Sequence, residues 1–362
     1  MKAIDKFFFE LIRVTIGNQV CLSHTPSADE WGELYAMAKK QSLVGVCFAG
    51  VHRLKKQQQC PPEMLYLQWM GMAAKIQQRN EVVNRRCVEL FDRFRKAGFK
   101  ACVLKGQGAA KLYGGLSALR QSGDIDLWVK EDRDEVIRWL RSQGVKVGDI
   151  DSVHAPADFF SDTEVEVHSR PSYMYNCKTE RRLMEFFEKN AELQFANFDE
   201  SLGFAYPTVA FNLVFSMVHI NRHIYSEGIG LRQLMDYYMI LMASTVAERR
   251  DAYELLKRLN LNRFVAGIMH ILHEIFRLNA ECSLCAADKI EGEFLLAEMM
   301  RGGNFGHYDE RNSKLPKSMR WLRGWWTLKR MSRYLMHYPS EVLAIPGWKL
   351  RHYVWRKRKG YI

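Results

Sequence analysis

The spacing of apolar residues changes period twice along this chain, and those two changes constrain its fold more than any other feature. From Glu63 to Gly98 the residues Met72, Ile76, Val83, Cys87, Leu90 and Phe94 recur at intervals of three, four and seven. That is the stripe of one long amphipathic helix, with Gly98 as its C-terminal stop. Ala28 to Leu54 carries the same helical spacing. Beyond Gly98 the apolar runs shrink to strand length. Ala101 to Leu104 reads as a buried strand, and Ile125, Leu127 and Val129 alternate with Asp124, Asp126 and Trp128 as a second. Asp132 to Arg141 reads as a short helix capped by Asp132. Glu164 to His168 alternates again, with Glu164, Glu166 and His168 on one face and Val165 and Val167 on the other. After Pro207 the helical period returns near 207–221, 231–243, 252–259 and 264–277 and lasts to about Met300. The pattern predicts an α+β fold: an N-terminal helical region over 1–98, an α/β core with a small mixed sheet over 99–204, and a C-terminal helical region over 205–362.

The charge is as unevenly distributed as the periodicity. Of the formal net charge of +12, all is accounted for by residues 313–362, which hold 13 lysines and arginines against Glu341 alone. The other 312 residues balance 40 bases with 40 acids. Five of the nine tryptophans lie in the same tail, so it offers a basic, aromatic surface to an anionic partner such as RNA or lipid headgroups, or lies against the fold as a solvated face. No apolar run approaches the ~18 residues of a membrane-spanning helix, and charges at Asp5, Lys6, Glu10 and Arg13 interrupt the start of the chain where a secretion signal would be apolar. Eight scattered cysteines fit reduced thiols, and the expectation is a cytoplasmic protein. Cys282 and Cys285 form a C-x-x-C pair, half of what a structural zinc requires.

The chemistry concentrates in Gly123-Asp124-Ile125-Asp126-Leu127-Trp128-Val129. Carboxylates at i and i+2 on a strand share a face and can hold a divalent cation between them; otherwise they are two solvated acids. Three neighbouring features favour the cation. Ala101 to Leu104 ends in Lys105-Gly106, a turn whose amides and lysine can reach phosphate oxygens. Arg120 precedes Asp124 by four residues, and the strand carrying Glu166 supplies a third acid. His168 shares the face of Glu166, as a base, an orienting group or a local hydrogen-bond partner. His219 and His223, at i and i+4 on a helix, lie on one face, as a cleft wall, a metal pair or a structural feature.

This run of a strand, a Lys-Gly turn, Tyr113, Arg120, Gly-Asp-Ile-Asp-Leu-x-Val and Val165-Glu166-Val167-His168 resembles the uncharacterised bacterial nucleotidyltransferase family of the DNA polymerase β-like superfamily. The resemblance is close over about 100–170. It is looser over the helical flanks, at His219-x-x-x-His223, Leu231-Arg232-x-Leu234-Met235-Asp236 and Gly303-Asn304-Phe305-Gly306. It implies a nucleoside triphosphate substrate and two magnesium ions on Asp124, Asp126 and Glu166, with Lys105, Gly106, Arg120 and Gly123 near the nucleotide. An acceptor hydroxyl would attack the α-phosphorus and release pyrophosphate; His168, His219 and His223 would face the acceptor or the cleft. Two departures stand out. Lys-Gly replaces the Gly-Ser usual at the end of the first strand, and Glu replaces the commoner Asp as third acid. The alternatives they motivate are a non-catalytic nucleotide- or protein-binding module on the same fold, or an RNA-binding enzyme using the basic tail.

Overall fold

The computed structural model describes residues 3–311 and 329–362. The basic residues 314, 317, 320 and 323 and the tryptophans 321, 325 and 326 of the predicted tail surface therefore lie outside the described residues. The N-terminal region folds as α1 (Ala3–Ile16), α2 (Ala28–Lys40), α3 (Val44–Leu54) and α4 (Glu63–Lys96). The helical stretch expected over Ala28 to Leu54 is thus two helices. Ser42 between them takes a left-handed φ of 54°, which breaks the helical path. At the end of α4, Gly98 adopts φ 86° and the Phe99 amide donates to the Phe94 carbonyl, the cap predicted from the glycine.

The sheet follows directly. Strands β1 (Ala101–Val103), β2 (Ile125–Val129), β3 (His154–Pro156) and β4 (Val165–His168) lie in the order β1-β2-β4-β3. β2 and β4 are parallel, and β1 and β3 are antiparallel to their neighbours. α5 (Gln107–Ala110) is a single turn after β1, and α6 (Arg133–Ser142) follows β2 with Asp132 as its cap, accepting from the amides of Asp134 and Glu135. β3 was not anticipated; its three residues end in Pro156, and it lies at the edge of the sheet, where proline is tolerated. The 20-residue helix α7 (Cys177–Ala196) and the small hairpin of β5 (Phe198–Asp199) and β6 (Phe204–Ala205) were also unanticipated. The helices α8 (Val209–Ser226), α9 (Leu231–Ala243), α10 (Val246–Arg258), α11 (Asn262–Phe276) and α12 (Lys289–Gly302) match the helical reading of the second half.

Alternation along β2 suggested a half-exposed strand, but every residue of it is buried. The physical reason is that both faces of the sheet are covered. Ile125, Leu127 and Val129 join Val83, Leu90 and Phe94 of α4 and Val136 and Leu140 of α6 in one core. On the other face Trp128 packs against Phe195 of α7 at 4.6 Å and stacks on Phe211 of α8 at 5.8 Å. Asp126 points to the same side as Trp128, so the fold presses a carboxylate under a helical wall. That wall belongs to a large core shared by Phe8, Trp31 and Val44 of the N-terminal helices and Phe215, Leu234 and Ile268 of the C-terminal ones. The two helical regions therefore stabilise each other around the sheet.

The C-terminal helix Ile345–Arg358 lies back against the α/β unit. Trp355 packs with Ile137, Ile150 and Ala155, Lys359 Nζ reaches Asp134 at 2.6 Å, and Arg356 pairs with Asp149. Part of the tail's positive charge is thus spent on the protein's own acids. All eight cysteines are free. Among the described residues no helix is long and apolar enough to cross a membrane.

Candidate active site

Two structural choices bring the acids together. The parallel register sets Asp126 opposite Glu166 and Trp128 opposite His168, so β2 and β4 present their polar groups on one face. The segment before β2 is then pinned to α4 by Asn80, whose amide donates to the carbonyls of Ala118 at 2.7 Å and Arg120 at 2.8 Å. As a result, one oxygen each of Asp124, Asp126 and Glu166 lie within 4.8 Å of one another. Such a spacing suits oxygen ligation of a divalent ion.

The charges around this triad are unequal. Asp126 Oδ2 accepts from Lys105 Nζ at 3.0 Å and Oδ1 from His168 Nε2 at 2.9 Å. Burial alone would raise its pKa, but Lys105 and His168 outweigh burial and hold Asp126 well below the usual carboxylate range. His168 is buried, which would favour the neutral ring; its hydrogen bonds to Asp126 and Glu166 overcome that and push it up to about 9. Asp124 gains less compensation. The charge of Asp126, followed by burial, pushes Asp124 up to about 6. Glu166 is half-buried, which would raise it, yet its contact with His168 keeps it low. Lys105 and His168⁺ hold Asp126 from two sides, while Asp124 is left under-neutralised. A donor set of three carboxylates with excess negative charge at its mouth fits a hard divalent cation.

Two cavities meet at Gly123 and Asp124. The inner one, about 70 Å³, is lined by Lys105, Gly106, Arg120, Asp126 and His219 and by Arg232 of α9. The outer one is an open cleft of about 1130 Å³ reached by Arg79, Lys146, Phe159, Phe160 and Glu166. Inner volume of that size suits a phosphate-sized group. Gly106 adopts φ 62° as the chain turns out of β1 into α5, a conformation that side chains disfavour.

Arg120 is committed more tightly than the sequence suggested. Its Nε and Nη2 bind both oxygens of Asp236 at 2.7 Å each, and Tyr113 donates its hydroxyl to Asp236 at 2.6 Å. Its Nη1 is buried without a hydrogen-bond partner. Arg232 is buried nearby, donates to the Gln121 carbonyl at 3.0 Å, and has Asp236 as a shared counter-charge. One carboxylate facing two guanidinium groups leaves an excess of positive charge on this side of the cavity, across from Asp124 and Asp126. Arg232 and Asp236 carry no assigned role from the sequence; the signal it offers is their i, i+4 spacing on one helix face.

The two histidines of α8 part company. His219 lines the inner cavity and burial holds it well below its ordinary value, hence neutral. His223, one turn on and 4.3 Å from it between ring centres, donates Nδ1–H to Glu227 at 3.2 Å and accepts from Arg222 at 2.8 Å. Burial and Arg222 hold His223 near 4. No third metal-ligating group joins the pair among the described residues, and none joins Cys282 and Cys285. One residue that sequence reasoning missed is His154 on β3, which comes within 3.5 Å of Glu166.

A family model described as an uncharacterised nucleotidyltransferase matches residues 27–277, a span that takes in α2 to α11 and the whole sheet. No curated protein and no solved structure matches the chain.

Proposed function

The chain belongs to the uncharacterised nucleotidyltransferase family, and from that premise we propose that it is a magnesium-dependent enzyme that moves a nucleoside monophosphate from a triphosphate to an acceptor hydroxyl. The observation that carries this reading is the convergence of Asp124, Asp126 and Glu166 at the mouth of a pocket that Lys105, Arg120 and Arg232 line. The small mixed sheet agrees with the DNA polymerase β-like superfamily as its origin. Bound divalent cations would neutralise charge on the attacking and leaving oxygens.

The chain's own residues supply the rest. Asp124, Asp126 and Glu166 hold the cations, and His168 keeps Asp126 ionised and aimed. Lys105 and Arg232, with the unpartnered Nη1 of Arg120, offer charge-assisted donors to phosphate oxygens in the inner cavity. The lysine thus takes the part that a Gly-Ser turn plays in relatives with that motif. The outer cleft accommodates the nucleoside and the acceptor, with Phe159 and Phe160 as apolar wall. Neutral His219 closes the inner wall without adding charge.

The test is thermal stabilisation by ATP, GTP, CTP and UTP with and without magnesium, comparing wild type with Asp124→Asn/Asp126→Asn. A ligand at 100 times its dissociation constant contributes about 2.7 kcal/mol, a readable shift. A magnesium-dependent shift present in wild type and lost in the variant supports the enzyme, and transfer of α-labelled phosphate to an acceptor then completes it. Nucleotide binding indifferent to both magnesium and the substitution would instead identify a binding module.

A further inference from the structure

Next to the carboxylate triad, β3 and β4 build a second cluster of a different chemical kind. Their antiparallel register places His154 directly opposite His168, with Glu166 two residues away on the same face. His154 Nε2 lies 3.5 Å from Glu166 Oε1, and His168 Nε2 lies 3.4 Å from Glu166 Oε2. One ligand atom from each of the three residues falls within 4.8 Å of the others. Four-coordinate zinc, with bonds of about 2.0–2.1 Å to nitrogen and oxygen, separates neighbouring ligand atoms by about 3.3 Å. His154 and His168 approach opposite oxygens of Glu166, Oε1 and Oε2, at close to that separation.

The surroundings also fit a metal centre. A ligating histidine usually presents its second ring nitrogen to a carboxylate. Behind His154, Asp151 Oδ2 stands 3.6 Å from Nδ1, and Asp151 is itself held by the amides of Val153 and His154 through Oδ1. Nδ1 of His154 and Nδ1 of His168 are both buried with no hydrogen-bond partner in the metal-free arrangement. His168 is buried, whereas the side chains of His154 and Glu166 stay partly open, and Glu166 lines the outer cleft. Two imidazoles and one carboxylate favour borderline transition ions over magnesium, which prefers oxygen.

We infer that His154, Glu166 and His168 form a binding site for a divalent transition-metal ion of the zinc and cobalt class, adjoining the site of Asp124 and Asp126 and sharing Glu166 with it. This goes beyond the nucleotidyl-transfer reading and does not depend on it.

The experiment titrates the chelator-stripped full-length protein with Co²⁺ and follows visible d–d absorption, then measures Zn²⁺ by competition. Stoichiometric Co²⁺ binding with a histidine-type spectrum is expected in wild type. It should be weakened more than about tenfold in His154→Gln and about tenfold in Asp151→Asn, and be retained in Asp124→Asn. His154→Gln lies on the edge strand, and circular dichroism checks that it folds. A spectrum unchanged in His154→Gln, or lost in Asp124→Asn but kept in His154→Gln, would place the ion among the carboxylates and overturn the inference. So would no Co²⁺ or Zn²⁺ binding at all. Loss of the nucleotide effect with the Co²⁺ site intact would sink the transferase reading alone.

Discussion

Asp124→Asn should make the metal-free protein more stable at neutral pH while removing a group the proposed chemistry needs. In the folded protein the charge of Asp126 and burial raise Asp124 from its ordinary 3.8 to about 6. Holding the ionised carboxylate there costs up to ~3 kcal/mol, at about 1.36 kcal/mol for each tenfold change in acidity. Asp124 stands at the mouth of the cleft, where solvent screens it, so about 1 kcal/mol is the expectation. The sign follows from proton uptake. Between 3.8 and about 6 the folded state binds the proton more readily than the unfolded chain, so this group lowers stability as pH rises through that window and leaves the full penalty above it. Asparagine removes the penalty. Urea unfolding of chelator-treated protein at pH 7.5 should therefore show the variant more stable by about 1 kcal/mol, with the difference shrinking to nothing near pH 4. With magnesium and nucleotide added, the order should invert. A variant less stable than wild type at pH 7.5 without metal, or a difference that ignores pH, would refute the account of Asp124 as an under-neutralised ligand.

Other outcomes follow from the packing. Asp236→Asn removes the bidentate counter-charge of buried Arg120 and half-frees Arg232, and should lower unfolding free energy by about 3–5 kcal/mol in denaturant titrations; a loss below about 1 kcal/mol would show that the pair is dispensable. Trp128→Ala opens a cavity between β2 and the aromatic rings of α7 and α8, and should cost about 3–5 kcal/mol by the same measurement; a cost like that of a surface residue would contradict the buried-on-both-faces reading of β2.

Much of the site was legible because strand geometry is local. An i, i+2 pair on a strand shares a face whatever surrounds it, so Asp124 with Asp126, and Glu166 with His168, could be paired from spacing alone. The long stripe ending at Gly98 marked α4 for the same reason. Spacing failed where burial came from elsewhere in the chain. The alternation of β2 suggested a wet face, and α7 and α8 covered it. α7 itself went unseen although its own spacing marks it, with Leu183, Phe187, Ala191 and Phe195 recurring every four residues behind the cap Asn176.

Within each element, then, the sequence by itself determined which groups point together: the paired acids, the Lys105-Gly106 turn, the helical stripes and the balance of charge outside the tail. Those follow from backbone periods of 2 and 3.6 residues, which need no partner. Only the tertiary structure decided the rest. Parallel pairing of β2 with β4 put Glu166 against Asp126, and the edge strand β3 delivered His154 to the same place. The closing of α9 over the sheet turned Arg120 from a free cation into half of a buried pair with Asp236. Contacts between separate elements, here from 14 to 116 residues apart, depend on register and on which faces are hidden from water, and neither is written in any local spacing.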